Sequence, residues 1–380
     1  MSERDLRIDF LRGLALLMIF VDHSPWNPLT IFTLRTWSFG DAAELFFFIS
    51  GFVAALVYGR TLAQSGFLAA TARIYRRAWD IYATQMVLLV FLVAILASAA
   101  DASGNMAMLS YYRVSAFLNH TDTMILQALL LRYQPAYLDI LPAYIVFFIV
   151  LPFGLVLLKR NVWVALALSF ALYLGVQIWG WTPRSAPDGA PWFFNPFAWQ
   201  FLFTLGAAFG SGGLSRLMPL LDTRWAVGLA ALIAIPAAVI VGSGVVHTFV
   251  PAIPAVQSGS LQVGKDSLQY MRVVDFLALA LLARRFMPSS AALGNNSVTR
   301  AIMRCGQHSL AIFGAGVLLA VSTDIYCGQW QSQGALVLAN LAGIGLLIGF
   351  AALLEWMRTA TASKLHYPAA AGVAISPAGK

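Results

Sequence analysis

Apolar residues in this chain come in blocks long enough to cross a bilayer, which takes about 20 residues of helix. The blocks lie at about 8–24, 42–59, 79–100, 136–158, 162–180, 196–212, 225–246, 268–286, 307–325 and 335–356. A shorter apolar stretch at 123–132 reads as an interfacial or re-entrant piece. The pattern predicts an all-α, polytopic integral membrane protein of about ten transmembrane helices, with a transmembrane domain over 1–358. Residues 359–380, with Ala, Gly, Pro and Ser, read as a flexible cytoplasmic tail. No internal repeat stands out, which weighs against a transporter, since many transporters carry one.

Composition agrees. Hydrophobic residues make up 60% of the 380 and charged residues 11%, against about 25% charged in soluble domains; the mean hydropathy is +0.77. The isoelectric point near 9.7 calls for no nucleic acid, because the basic excess has a topological cause. Of 24 Lys and Arg residues, Arg12 lies inside the first block, and the rest divide 17 to 6 between alternate sets of block ends. The richer set marks the cytoplasmic side, which places both termini in the cytoplasm. Cys305 and Cys327 are too few for a disulfide framework or a zinc site, and the same topology puts them on opposite sides of the membrane. The N-terminal stretch is basic and then apolar but lacks a small-x-small site, so it reads as an uncleaved first span.

The first block carries charge where a plain span would not. Residues 11–30, LRGLALLMIFVDHSPWNPLT, hold Arg12 near the start of the run and Asp22-His23 near its end, ahead of Pro25. Eleven residues apart, Arg12 and His23 share a helix face, offset by about 20° and roughly 16 Å apart along the axis. Asp9 falls on the same side; Asp22, about 100° from His23, does not and must bond elsewhere. Taken singly, Arg12 could snorkel to the interface and His23 could cap the helix end. An aligned set of polar groups instead calls for a shared polar lining.

The second block opens GDAAELFFFISGFVAALVYG, and its start lies on the same side as the end of the first. Glu44 or Asp41 could therefore face His23, fix its tautomer and raise its basicity, as a general base requires. Ser50-Gly51 reads chiefly as a place where helices approach closely. In the cytoplasmic loop that follows, Arg73, Arg76 and Arg77 recur at helical spacing. They suit either a phosphate site, which guanidinium forks bind bidentately, or ordinary membrane anchoring. His, Asp and Glu show no ligand-like clustering, so no metal is expected.

These residues resemble a known family. RIDFLRGLALLMIFVDH, WSFGDAAELFFFISGFVAALVYGR, YLDILPAYIVFF, NPFAWQFLF and CGQHSLAIF resemble the OpgC family, within the membrane acyltransferase type-three superfamily, over most of the chain. The resemblance implies an enzyme of the bacterial inner membrane that moves a succinyl or other short acyl group from cytoplasmic acyl-CoA to a hydroxyl of a periplasmic glucan. It implies no bound cofactor: acyl-CoA, succinyl-CoA above all, is a co-substrate, and the partners are lipid, donor and glucan, without nucleic acid. On this reading His23 is the general base, with Glu44 or Asp41 orienting it. A covalent intermediate on His23 or Ser50 is the alternative. The donor nucleotide sits near Arg73, Arg76 and Arg77, and its pantetheine arm passes Arg12 and Ser50, with His308 near the CoA end or capping its helix. A dicarboxylic donor needs a further cation near the thioester, for which Arg35 is a candidate. Asp139, His120, Trp199 and Gln200 are the candidates for holding the acceptor, though Trp is also enriched at membrane interfaces; Arg113 or Arg132 could pair with Asp139. A multi-span transporter of a small solute or glycan is the rival reading.

Overall fold

The computed structural model describes residues 5–24, 27–243, 264–328 and 332–365. Its helices are, in chain order, α1 (Leu6–Asp22), α2 (Leu34–Trp37), α3 (Ala42–Ser103), α4 (Ala107–Tyr111), α5 (Ser115–Asn119), α6 (Thr121–Leu129), α7 (Ile140–Arg160), α8 (Val162–Trp179), α9 (Pro196–Gly210), α10 (Met218–Leu221), α11 (Arg224–Gly242), α12 (Tyr270–Phe286), α13 (Ser290–Asn295), α14 (Ser297–Gln307), α15 (Ser309–Gly328) and α16 (Gln333–Leu365). Among the described residues there is no strand, only isolated bridges from Tyr133 to Ala186 and from Arg184 to Pro191. Among the described residues six helices, α3, α7, α8, α11, α15 and α16, are long and apolar enough to cross a membrane by length and composition. The apolar runs at 8–24, 196–212 and 268–286 fold into the shorter α1, α9 and α12, of 17, 15 and 17 residues.

Two sequence boundaries move. The segment after the second apolar block is largely helical: α3, as bounded, covers 62 residues and joins two helices at Gly66, one carrying the run at 42–59 and the other the run at 79–100. Residues 60–80 hold no proline and are rich in Ala, Arg and Leu, all good helix formers. The interruption falls at Gly66, with φ 82° and ψ 179°, a conformation that glycine adopts without steric cost. At the other end, α16 continues to Leu365, past residue 359, because TATASKL offers no breaker. Residues 366–380, His366 among them, lie outside the described residues, as does His247. The apolar stretch at 123–132 begins within α6, the last of three short helices. Cys305 is buried and unpaired among the described residues.

Packing in the bundle depends on glycine at two crossings. A Cβ on Gly51 of α3 would lie 1.9 Å from the Phe203 carbonyl oxygen of α9, and one on Gly206 would lie 2.0 Å from that of Phe48. The second crossing joins α1 to α14, where a Cβ on Gly13 would meet the Ile302 carbonyl oxygen at 1.9 Å. Apolar helices in lipid gain no hydrophobic drive from each other, so close backbone approach and dispersion hold them together. The outward side chains are apolar, as on α11, where Trp225, Leu232, Ile235 and Val239 are all exposed.

Gly206→Val should therefore force α3 and α9 apart, at about 1–3 kcal/mol, the usual range for overpacking. Gly228→Ala, where an added Cβ meets nothing within 4 Å, should leave the midpoint of thermal unfolding in detergent unchanged.

Candidate functional site

The start of α3 is built around charge. Asp41 accepts from the Ala43 N–H at 2.8 Å, and Glu44 accepts from the Asp41 N–H at 2.8 Å, a capping box. Both carboxylates also meet cations from far along the chain. Arg272 of α12 donates through Nε to Glu44 Oε1 at 2.6 Å and through Nη2 to Asp41 Oδ2 at 3.3 Å. Lys265 Nζ donates to the same Asp41 oxygen at 2.6 Å. The Arg272 and Glu44 side chains are 1% and 0% exposed. Burial alone would raise the pKa of Asp41, but Lys265 and Arg272 outweigh it and hold the carboxyl well below the usual carboxylate range. One turn along α12, Asp275 Oδ2 accepts from Ser38 Oγ at 2.6 Å and from the Phe39 N–H at 2.9 Å, which fixes the loop entering α3.

A cavity of about 490 Å³ lies against this network, lined by Asp22, His23, Arg35, Asp41, Tyr137 and Lys265 among others. His23 is the C-cap of α1. Its Nδ1 is buried without a hydrogen-bond partner among the described residues. The imidazole packs on the Tyr137 ring, centroids 4.3 Å apart and planes 37° apart. The Tyr137 hydroxyl donates to the His23 carbonyl oxygen at 3.0 Å. Asp41 shares the cavity, but neither it nor Glu44 bonds the imidazole: both carboxylates are committed to Arg272 and Lys265. The expected carboxylate–histidine pair is therefore not formed. Asp22 bonds elsewhere, accepting from Thr33 Oγ1 at 2.7 Å, and Arg35 donates to the Asp22 carbonyl oxygen at 2.9 Å.

A second cavity, of about 360 Å³, is lined by Arg12, Ser50, Tyr58, Arg77, Tyr144 and Ser309 among others. Arg12 Nη2 donates to Ser309 Oγ at 3.0 Å, and Tyr144 donates to Ser50 Oγ at 3.4 Å. Phe313 of α15, buried, lines both cavities. One helix, α1, thus presents Arg12 to one chamber and His23 to the next.

Other candidates separate. Of the three candidate arginines Arg73, Arg76 and Arg77, only Arg77 lines the cavity; Arg73 is exposed, bonding Thr61 Oγ1 at 3.1 Å, and Arg76 is exposed. His308 turns away to Glu355 Oε2 at 3.1 Å, while its neighbours Gln307 and Ser309 face the cavity. Among the acceptor candidates only Asp139 reaches the His23 cavity. It forms no ion pair among the described residues, since Arg113 is engaged by Asp188 at 3.1 Å and Arg132 is exposed. His120 is exposed and lines neither cavity. Trp199 is fully buried, its Nε1 donating to the Lys265 carbonyl oxygen at 2.9 Å. Gln200 ties α9 to α8, accepting from Ser169 Oγ at 2.6 Å and donating to the Ser169 carbonyl oxygen at 2.8 Å.

Lys265, Arg272 and Tyr137 are the site residues that pattern reading passes over. Arg272 and Asp275 do leave a signal, opposite charges three residues apart within an apolar block.

Fold and site together define a helical membrane protein with two polar cavities inside its bundle. The chain matches the OpgC protein family over residues 4–359 and belongs to that family. No curated protein and no solved structure matches it.

Removing one partner of a buried pair strands the other, at about 3–5 kcal/mol. Arg272→Leu should lower the unfolding midpoint accordingly, and the double variant with Glu44→Leu should recover much of the loss. Thermal unfolding of the purified variants checks both.

Proposed function

We propose that the protein is a membrane O-acyltransferase that moves a succinyl or other short acyl group from cytoplasmic acyl-CoA to a hydroxyl of a periplasmic glucan. Family membership supports the reaction class. The observation that carries the mechanism is the pair of cavities meeting at Phe313, with Arg12 and Arg77 in one and His23 in the other. In this reading about ten spans place both termini in the cytoplasm of a bacterial inner membrane. The Arg12 chamber opens towards the donor and the His23 chamber towards the glucan. Arg77 and Arg12 draw the anionic donor to the inner chamber, and the pantetheine arm follows the face of α1 for roughly 16 Å. The thioester then reaches His23 once the Phe313 ring moves aside.

The chemistry needs one base. His23 takes the proton of a glucan hydroxyl as its oxygen attacks the thioester carbonyl. The tetrahedral intermediate collapses, the C–S bond breaks, and the imidazolium returns its proton to the CoA thiolate. The products are the glucan ester and free CoA. Arg35, on the same chamber as His23, is placed to meet the free carboxylate of a succinyl group. Asp139, on that chamber too, faces the incoming sugar.

The test is free-CoA release by purified protein given succinyl-CoA and periplasmic glucan, wild type beside His23→Ala. Glucan-dependent release that falls by about 100-fold or more in the variant, the scale of a lost general base, is the expected result. No release from folded wild type with any acyl-CoA turns the reading to a transporter. A second outcome follows from the shared wall: Phe313→Ala should raise CoA release in the absence of glucan severalfold, as water reaches the thioester.

A further inference from the structure

Tyr137 stands out beside His23 on three independent observations. Its ring packs on the imidazole with centroids 4.3 Å apart. Its hydroxyl donates to the His23 carbonyl oxygen at 3.0 Å, at the last turn of α1. Its backbone has φ 69°, in the left-handed region that a bulky non-glycine residue rarely adopts. Such a conformation costs on the order of 1–3 kcal/mol and persists only where the surroundings enforce it, which is commonly at a functional site.

The surroundings do enforce it. Tyr112 packs edge-on against Tyr137 at 5.7 Å and donates a hydrogen bond to Asp324 of α15. The Ala136 N–H donates to the Tyr112 carbonyl oxygen at 3.1 Å. Tyr133 donates to the Arg113 carbonyl oxygen at 2.7 Å, closing the segment on itself. The chain from α4 to the start of α7 therefore delivers one aromatic ring to one histidine.

The histidine needs such a support. Its Nδ1 has no hydrogen-bond partner among the described residues, and the carboxylates expected to orient it are held by Arg272 and Lys265. In most His-dependent sites a second group bonded to the other ring nitrogen fixes the imidazole plane. We infer that Tyr137 does this work here: it is the positioning residue that fixes the plane of the His23 imidazole by ring packing and the end of α1 by its hydroxyl. This rests on the acyl-transfer reading and adds to it a residue that acts through the histidine. Left with a free Nδ1 and a wall on one side, the imidazole presents its base to the open side of the chamber.

The backbone supplies a clean test. Glycine adopts a positive φ freely and asparagine tolerates it, so Tyr137→Gly and Tyr137→Asn remove the ring while relieving the strain. Each gives up ring packing and one hydrogen bond as the strain is relieved, so both should remain folded in detergent, with the unfolding midpoint measured beside kcat. The kcat of each for CoA release should fall about 100-fold, the scale of a 1 Å misplacement, with both KM values within about twofold of wild type. Tyr137→Phe keeps the ring and should retain kcat within about tenfold, the weight of one hydrogen bond. A folded ringless variant with near-wild-type kcat, or a loss confined to KM, overturns the inference while leaving the enzyme. Wild type inactive with every acyl-CoA, or His23→Ala fully active, overturns the acyl-transfer reading and this inference with it.

Discussion

Four ionisable groups clustered together, Glu44 and Arg272 buried and Asp41 and Lys265 half-buried, set the geometry on which the rest of the bundle depends. Two anions and two cations balance, and each salt bridge is 3.3 Å or shorter. Removing such charges from water costs several kcal/mol per ion, so the cluster is stable only while every member is in place. That condition makes it a constraint: residues 228 apart, at the start of α3 and the start of α12, have one allowed relative position. Asp275 and Ser38 extend the same clamp to the loop between α2 and α3. Trp199 extends it to α9 through the Lys265 carbonyl, and the Lys265 ammonium lies 5.5 and 5.3 Å from the Phe193 and Phe194 ring centroids. One wall of the His23 cavity is thus fixed by electrostatics, where lipid-facing helices would otherwise be held by packing alone.

The opposite wall is fixed by different means. The end of α1 is tied by Asn27 Nδ2 to the Val21 carbonyl at 3.2 Å, by Ser24 to Asn340 at 3.2 Å, and by Tyr137 to the His23 carbonyl. The Asn27 and Tyr137 bonds satisfy carbonyls that a helix end would leave open, and the Ser24 bond ties the segment to Asn340 Oδ1 of α16. At the other end of the same helix, the glycine crossing with α14 lets Arg12 reach Ser309 across a backbone contact too close for any Cβ. A helix with both ends pinned holds Arg12 and His23 at a set separation, the quantity that the proposed reaction path requires.

Some of this was readable in the chain and some was not. The periodicity of α1 placed Arg12 and His23 on one face, and the structure puts them in neighbouring cavities that share Phe313. The same rule sent Asp22 to another partner, Thr33. The pairing of Glu44 with His23 was inferred from depth alone, and depth does not identify partners: Arg272 was available at the same level and carries the charge that a buried carboxylate needs. In sequence Arg272 and Lys265 belong to the poorer set of six block-end cations, a count that takes no account of what each cation touches. Trp199 and Gln200 fit a sugar site by residue type, yet both are spent on helix packing, which composition cannot distinguish from binding. Tyr137 was out of reach because a positive φ at a non-glycine residue comes from tertiary enforcement and leaves no mark in the sequence.

The division into two chambers also bears on whether an acyl-enzyme forms. Ser50, the hydroxyl nearest in sequence to a nucleophile, lies in the Arg12 cavity and accepts from the Tyr144 hydroxyl. Among the described residues no histidine lines that cavity, and a serine attacks a thioester poorly without an adjacent base. The histidine that could activate it lies in the chamber beyond Phe313. A relay through Ser50 would need the base on one side of the ring and the nucleophile on the other. On the proposed reading direct transfer asks less of the structure: the thioester crosses once, to the side on which His23 would meet the acceptor hydroxyl. On the proposed reading the Phe313 ring, which lines both cavities, has a second use: it stands between a thioester in the Arg12 cavity and water in the His23 cavity until the acceptor binds.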